Sequence, residues 1–426
     1  MSEHPIGISD ISLYVPQPQI EISTITRERI LKKPELEKSL LRATETAGQI
    51  DLRFPNIWED TSTIAAQSAR KLFQQNSRLD VSKLRYLTVG TETPIDHSKA
   101  VSAYVEGMLQ RAGHAIPKQI STFQVQHACA GGFLGAISVG ALLNLSNRPQ
   151  ESGLIICSDI ARYTPESTAE VTQGAGAAAL LVENDPKLIE LDLSNMGFSS
   201  EDVDDFFRPL GSVVAKVKGL YSIQCYNSSL ETAFADHCDR RGESPEAVLR
   251  GTDYFVLHTP FRNMPYRAML RLLGSNLGLS KEEAESFLQE HAFPQAIDPI
   301  ARVGNTYTAS IFMSLAFLLD EQYKLIGDKI AGKTVLMASY GSGNTMAIIA
   351  GRVSKSAPDV LKTWKLWDIW DSARPASMMD YERWLGAPYD RERYAELVSA
   401  TCESIPSESF YLSGIREDGY REYRFK

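Results

Sequence analysis

The chain has few cysteines, and none of them has the spacing of a structural site. The 426 residues contain Cys129, Cys157, Cys225, Cys238 and Cys402, with no CxxC pair. An odd and scattered set argues against a disulfide framework and against a zinc cage. HExxH and EF-hand patterns are also missing, so we expect no bound metal.

The chain also lacks a basic block and a long apolar run. Lys and Arg total 44 against 53 Asp and Glu, a formal charge of -9, whereas nucleic-acid binding depends on neutralising phosphates. The longest apolar run, residues 309–319, is shorter than the ~20 residues of a membrane span. No signal-peptide pattern is visible. We therefore expect a soluble, reduced, cytoplasmic protein that binds neither nucleic acid nor membrane.

What the sequence does contain is two halves with a similar order of elements. Short apolar runs predict buried strands at residues 84–89, 154–157, 254–257 and 334–338. In each half a polar residue opens an apolar helix, at residues 133–145 and 311–319. Strands alternating with helices indicate a mostly parallel sheet covered on both faces, and two such units indicate a duplicated α/β fold.

The C-terminal part differs in composition. Residues 358–408 are rich in Trp, Asp and Arg, which predicts irregular surface helices rather than a third core. The tail has two β-rich segments, 410–415 and 420–425, on either side of Asp418-Gly419, a pair that favours a hairpin turn.

Cys129 differs from the other cysteines in its surroundings. It lies at the predicted start of a helix, where free N–H groups and the helix dipole favour a thiolate. Its neighbours Ala128, Ala130, Gly131 and Gly132 leave space for a substrate. From this context alone, a nucleophile and a small buried hydrophobe both stay open.

Other polar positions lie at the ends of predicted elements. His258 ends a strand, where it can donate to a substrate carbonyl or act as a cap, and Asn305 precedes a helix as an N-cap would. Glu92 is either a surface turn carboxylate or a desolvated base with a raised pKa. The segment Gly341-Ser342-Gly343 is too short for a phosphate loop, but its N–H groups could form half of an oxyanion hole.

Seven short segments, spread over most of the chain, combine into one pattern. They are IGISDISLYVP (6–16), VGTETPIDHSK (89–99), ACAGG (128–132), SIQCY (222–226), HTPF (258–261), GNTYTAS (304–310) and SYGSG (339–343). Together they resemble the 3-hydroxy-3-methylglutaryl-CoA synthase family of the thiolase superfamily. The second and sixth segments are specific to that family, whereas ACAGG alone also suits a ketoacyl synthase III.

The resemblance implies a duplicated thiolase-like fold, with five layers α/β/α/β/α and two mixed, mostly parallel sheets. Residues 1–180 would form the half with Glu92 and Cys129. Residues 181–426 would form the half with His258 and Asn305, together with surface helices and a terminal hairpin. A homodimer is also implied.

The resemblance further implies a condensing enzyme with a Cys–His–Glu centre. Cys129 would be acetylated from acetyl-CoA, and Glu92 would form the enolate. The enolate would add to the ketone of a β-ketoacyl thioester such as acetoacetyl-CoA, polarised by His258, before the enzyme thioester is hydrolysed. Acetyl-CoA is then a substrate, and no separate cofactor is expected. The substrate-binding candidates are Asn305, Gly341, Ser342, Arg262 and Arg267.

Two positions depart from the family pattern: Ala130 stands where Tyr is common, and His127 where Asn is common. A smaller residue beside the nucleophile would enlarge the acyl pocket or change the acyl carrier accepted. An acyl carrier protein therefore stays open beside CoA, as in a polyketide β-branching synthase.

Three further alternatives remain. A ketoacyl synthase III-like Claisen enzyme shares the fold but gives Glu92 no role. A cysteine peptidase would use Cys129, His258 and Asn305, which occur in papain-like order, but the CGSCW-like context is missing. A non-catalytic protein of the same fold is the last, and the intact set of candidate residues argues against it.

Overall fold

The computed structural model of the protein describes residues 4–387 and 391–426. The strands are β1 (Ile6–Tyr14), β2 (Pro18–Glu21), β3 (Asp51–Arg53), β4 (Leu84–Gly90), β5 (Ser121–Val125), β6 (Ser152–Ala161), β7 (Gly174–Asn184), β8 (Ile189–Leu191), β9 (Gly197–Ser200), β10 (Phe206–Phe207), β11 (Lys216–Val217), β12 (Tyr254–Leu257), β13 (Thr334–Gly341), β14 (Thr345–Val353), β15 (Arg374–Pro375), β16 (Phe410–Ile415) and β17 (Arg421–Phe425).

The α-helices alternate with these strands. They are α1 (Ile22–Lys32), α2 (Glu37–Ala47), α3 (Thr61–Gln75), α4 (Val101–Arg111), α5 (Gly131–Ser146), α6 (Gly219–Arg241), α7 (Pro245–Gly251), α8 (Asn263–Leu277), α9 (Lys281–Glu290), α10 (Phe293–Ile297), α11 (Ser310–Ile326), α12 (Ala357–Leu361), α13 (Asp368–Asp371), α14 (Met378–Gly386) and α15 (Arg391–Thr401). The predicted core strands, the two apolar helices and the terminal hairpin are all confirmed.

Two groups of strands form the centre of the molecule. One has the order β5-β4-β6-β7-β1, in which β4, β5 and β6 are parallel, and the other contains β12, β13, β14 and β9. The short β8 pairs with both β1 and β14, so the two expected sheets are joined into one ten-stranded sheet. The predicted boundary after residue 180 falls inside β7, which pairs with β1 and β6.

The helices and strands stack in five layers, because successive side chains of a strand face helices on opposite sides of the sheet. On β6, Leu154 and Ile156 pack with α3 and α4, whereas Ile155 and Cys157 pack with α5. α5 in turn meets α11, because Phe133 stacks on Phe312 with ring centroids 6.1 Å apart. α11 lies against β12 and β13, and α6 covers the far side of β13 and β14. The central layer is therefore α5 with α11, between the two groups of strands.

α5 lies within a longer apolar stretch. Ala128–Ser146 is long and apolar enough to cross a membrane by length and composition alone, and 56% of it is buried in the protein. The expectation that no segment reaches that length is therefore wrong. Its packing between strands and α11 is that of a core helix.

The C-terminal region is less superficial than its composition suggests. Tyr381 and Trp384 of α14 are buried, and both rings pack on Phe54 at centroid distances of 5.6 and 5.3 Å. The terminal hairpin is fixed to the start of α3, because Tyr423 and Arg421 donate hydrogen bonds to Asp60 at 2.6 and 2.8 Å. α14 thus contributes to a core that it shares with β2, α1 and β7 of the N-terminal half.

Candidate active site

A cysteine and a carboxylate from two elements of the N-terminal half meet below the molecular surface. Cys129 lies just before α5, and Glu92 lies two residues after β4. The Cys129 thiol donates a hydrogen bond to Oε2 of Glu92 at 3.2 Å. The two residues are only 6% and 4% exposed. The fold thus pairs a thiol with a carboxylate in a site that excludes most water.

Glu92 is held by an arginine from the C-terminal half. Arg208, just after β10, donates from Nη2 to Oε1 of Glu92 at 2.9 Å and from Nη1 to the Glu92 carbonyl oxygen. Burial raises the pKa of Glu92 to about 7; Arg208 opposes this rise and the nearby Asp159 adds to it. Near neutral pH the carboxyl group can therefore both accept and donate a proton.

The thiol of Cys129 is not activated as its sequence context suggests. α5 begins at Gly131, two residues later. Burial, together with the Glu92 carboxylate, raises the pKa of the thiol well above its usual range. The expected gain in thiolate from the helix dipole is therefore wrong. Instead, Oε2 of Glu92 is placed to accept the thiol proton.

His258 follows β12 and has uncharged neighbours. Its N–H donates to the carbonyl oxygen of Ala338 in β13 at 2.8 Å, and its ring Nδ1 lies 2.6 Å from Oγ of Ser310 at the start of α11. Burial lowers the pKa of His258 to about 3, so the ring is neutral at physiological pH. A neutral imidazole can offer a hydrogen bond to a carbonyl oxygen without adding charge.

Asp159 of β6 joins the two halves beneath the site. Its Oδ1 accepts hydrogen bonds from the hydroxyls of Thr91 and Thr93, at 2.8 and 2.6 Å, and from the N–H groups of Glu92 and Thr93, at 2.9 and 3.0 Å. Its Oδ2 accepts from the N–H and hydroxyl of Thr308, at 3.1 and 2.5 Å. One buried carboxylate thereby fixes the Glu92 turn relative to the start of α11.

Asp159, Arg208 and Ser310 were not among the residues predicted from the sequence. A carboxylate within an apolar strand was an available signal for Asp159, because charged groups are rarely buried without partners. Ser310 belongs to the GNTYTAS segment, but a serine at a helix start indicates only a cap. Arg208 lies in a polar stretch, and nothing in the sequence distinguishes it from a surface arginine.

The candidate oxyanion hole lies where β13 ends against the nucleophile loop. A Cβ atom at Gly341 would be 2.3 Å from the carbonyl oxygen of His127 and 2.9 Å from Cβ of Ala130, so only glycine fits. Within the described residues, the N–H groups of Cys129 and Ser342 donate to no protein acceptor. Both are therefore free to bind a thioester oxygen.

Ala130 does not widen the site. Its side chain is 0% exposed and packs towards Gly341. Because no solvent-sized space adjoins it, the expectation of an enlarged acyl pocket at this position is wrong. The choice of acyl carrier remains a prediction.

The other sequence candidates lie around this centre in different ways. Oδ1 of Asn305 accepts a hydrogen bond from the N–H of Tyr307 at 2.8 Å. Arg262 precedes α8 and forms an ion pair with Asp298 at 2.8 Å, while Arg267 is exposed on α8. No hydrogen bond between these three candidates and Cys129 occurs in the part of the chain that the structure describes. Their contacts with substrate stay predictions.

A cysteine peptidase would pair the Cys129 thiol with the His258 imidazole. The structure does not favour that alternative, because the thiol is hydrogen-bonded to Glu92 and the imidazole to Ser310.

The cysteines with described side chains are buried and form no disulfide: Cys129, Cys157, Cys225 and Cys238. Across residues 4–387 and 391–426, no group of three or more His, Cys, Asp or Glu side chains could hold a metal ion.

A duplicated, five-layered α/β fold with a buried cysteine beside a carboxylate defines a thiolase-like condensing enzyme. Family models described as the N-terminal and C-terminal regions of hydroxymethylglutaryl-coenzyme A synthase match residues 3–187 and 280–426. The chain belongs to the hydroxymethylglutaryl-CoA synthase family and is an enzyme of that family.

Named relatives agree with this assignment. The chain is 27% identical over 389 residues to a hydroxymethylglutaryl-CoA synthase of Enterococcus faecalis, covering 91% of this chain and 93% of the relative. It is similar to a structure of MvaS in complex with 3-hydroxy-3-methylglutaryl coenzyme A, with a TM-score of 0.85, 29% identity and 99% coverage of both chains. A curacin-pathway HMG synthase in complex with holo donor-ACP has a TM-score of 0.83 at 23% identity, over 99% of this chain and 100% of that one, which shows the shared fold.

Proposed function

We propose that the chain condenses acetyl-CoA with a β-ketoacyl thioester, acetoacetyl-CoA being the expected acceptor, and releases a branched hydroxymethylglutaryl product. The 3.2 Å contact between Oε2 of Glu92 and Sγ of Cys129 carries this proposal. An enzyme that makes its carbanion by decarboxylation needs no base beside its acylated cysteine. The contact therefore favours an aldol addition over a ketoacyl synthase III-like Claisen reaction.

In the first step, acetyl transfer, Glu92 accepts the thiol proton and Sγ of Cys129 attacks the acetyl carbonyl carbon. The oxyanion is held by the N–H groups of Cys129 and Ser342. The C–S bond to CoA then breaks, and the CoA thiolate leaves with the proton from Glu92. This step returns the carboxylate to its ionised form.

In the second step, carbon–carbon bond formation, the same carboxylate removes a proton from the acetyl methyl, which is two bonds from Sγ. The enolate carbon attacks the ketone carbon of the acceptor, and the new alkoxide takes the proton back from Glu92. His258 donates a hydrogen bond to that ketone oxygen, and its neutral state suits this role. Water then cleaves the thioester bond to Cys129.

A homodimer is part of the proposal, and two features support it. β5 lies at the end of the sheet and pairs only with β4 among the described strands, and its residues are exposed or half-buried. Leu142 and Leu145, near the C-terminal end of α5, are exposed. A second copy pairing along this edge would cover both features.

The test of the reaction uses wild-type enzyme and Cys129→Ser, each incubated with acetyl-CoA and then with acetoacetyl-CoA or an acetoacetyl-carrier protein. Intact mass should rise by one acetyl group in the wild type only, and acetoacetyl-CoA should be converted to the branched product. An acetyl adduct on Cys129→Ser would refute the assignment of Cys129 as the nucleophile. If only the carrier-bound acceptor were converted, the acceptor would be an acetoacetyl-carrier protein rather than acetoacetyl-CoA.

A further inference from the structure

His258 and Ser310 form a buried pair whose hydrogen positions can be deduced. We propose that Ser310 is a positioning residue that keeps the ring hydrogen of His258 on Nε2, by donating its own hydroxyl hydrogen to Nδ1. The inference deepens the proposed function and rests on His258 as the donor to the acceptor ketone.

The direction of the hydrogen bond follows from the neighbours of Ser310. Its Oγ lies 2.6 Å from Nδ1 of His258 and 3.3 Å from the main-chain N of Thr259. A main-chain N–H group can only donate, so Oγ accepts from Thr259. The hydroxyl hydrogen of Ser310 then needs an acceptor of its own.

Nδ1 is the only acceptor available to that hydrogen among the described residues, and Ser310 and His258 are 0% and 2% exposed. If Nδ1 carried the ring hydrogen, it would point at Oγ, and the hydroxyl hydrogen would be buried without a partner. Buried donors without partners are rare because their desolvation is not compensated. The neutral ring must therefore carry its hydrogen on Nε2, which has no protein partner in the described chain.

This tautomer decides whether His258 can act. A neutral ring has one N–H donor, and with Nδ1 facing Ser310 only Nε2 can reach a substrate. In the other tautomer, Nε2 would present a lone pair to the ketone oxygen and repel it. Ser310 is itself fixed, since it starts α11 two residues after Thr308, which Asp159 holds at 2.5 Å.

The test compares Ser310→Ala, Ser310→Thr and Ser314→Ala, a control serine one turn later that lies 3.4 Å from Oγ1 of Thr259. With ¹⁵N-histidine labelling, and with His258→Asn to identify the resonances, the wild type should show a protonated Nε2 and an unprotonated Nδ1. Ser310→Ala should show both tautomers of His258. Its rate of condensation should be lower by about tenfold or more, and its rate of acetylation should be unchanged. Ser310→Thr should restore the single tautomer and the rate of condensation, and Ser314→Ala should match the wild type.

A protonated Nδ1 in the wild type would overturn the inference, and so would a Ser310→Ala variant that keeps both its Nε2–H signal and its condensation rate. The wild-type spectrum gives a result even if a variant does not fold. A His258→Ala variant that condenses normally would instead refute the proposed role of His258, and the spectrum would still report the tautomer.

Discussion

Glu92 and His258 occupy matching places in the two halves, each just beyond the carboxyl end of a strand that has a parallel neighbour. Both are almost fully buried. Burial favours the neutral form of each, raising the pKa of Glu92 to about 7 and lowering that of His258 to about 3. Yet only Glu92 is left able to change its charge near neutral pH.

The difference lies in the neighbours. The Arg208 guanidinium contacts Glu92 and keeps its ionised form accessible. The hydrogen-bond partners of His258 in the described chain are uncharged: the hydroxyls of Ser310 and Tyr226 and the main-chain carbonyl of Ala338. In the proposed reaction, one half therefore supplies a proton carrier, and the other supplies a fixed hydrogen-bond donor. The two halves share one α/β plan, but the residues around each strand end differ. The carboxyl group of Glu92 and the imidazole of His258 therefore have different chemical properties.

The largest effect is expected from removing the proton carrier. Glu92→Ala should lower the rate of condensation by about 10²-fold or more, the usual scale for general acid–base catalysis. The acetyl-enzyme should still form, more slowly, because the thiol loses its proton acceptor. Intact mass and product formation measure the two steps. Condensation at a near wild-type rate would show that Glu92 is not the base.

Removing the donor should separate the steps more sharply. His258→Ala is expected to slow condensation by about 10²-fold, as for loss of an oxyanion donor, and to leave acetylation of Cys129 nearly unchanged. Single-turnover acetylation and steady-state condensation are the measurements. If both steps fell in parallel, His258 would instead assist the thiol.

Arg208 tests the charge difference directly. In the wild type, kcat/KM for acetyl-CoA should fall below pH about 7, as Glu92 becomes protonated. Arg208→Gln removes the group that lowers this pKa, so the fall should begin about 1 pH unit higher. At pH 6 the loss should be about tenfold relative to wild type. Arg208→Lys, which retains a charge, should shift the profile less, and a shift to lower pH would contradict the assignment.

The smallest effect is expected at the joint between the halves. Thr308→Val removes a hydroxyl that donates to the Asp159 carboxylate at 2.5 Å, and should lower the free energy of unfolding by about 2 kcal/mol. Thr306→Val is the matched control, because within the described residues the one hydrogen bond of that hydroxyl is to the sulfur of Met313, at 3.6 Å. Chemical denaturation compares the two variants. An equal loss of unfolding free energy in both variants would mean that the hydrogen bond from Thr308 to Asp159 does not stabilise the contact between the halves.

The order of elements was predictable because it depends on local pattern. Apolar runs identified β4, β6, β12 and β13, and Asp418-Gly419 identified the terminal hairpin. The joining of the sheets through β8 was not predictable, since three residues carry too short a pattern. The thiol pKa was also not predictable, because burial and a carboxylate from another element raise it.

The site residues divide in the same way. Glu92, Cys129 and His258 stand in motifs that sequence reading could select. Arg208 reaches Glu92 across 116 positions of sequence, and no local pattern reports such a contact. Ser310 was visible as a residue, but its partner is set by the packing of α11 beside β12.

The close contacts at Gly90 and Gly341 restrict how this enzyme could acquire new substrates. A Cβ at Gly90 would lie 2.2 Å from Cα of Gly132, and one at Gly341 would lie 2.3 Å from the carbonyl oxygen of His127. Neither position can vary without moving the backbone that carries the nucleophile. Phe207 and Leu210, on either side of Arg208, are exposed, so their side chains can change without disturbing that backbone.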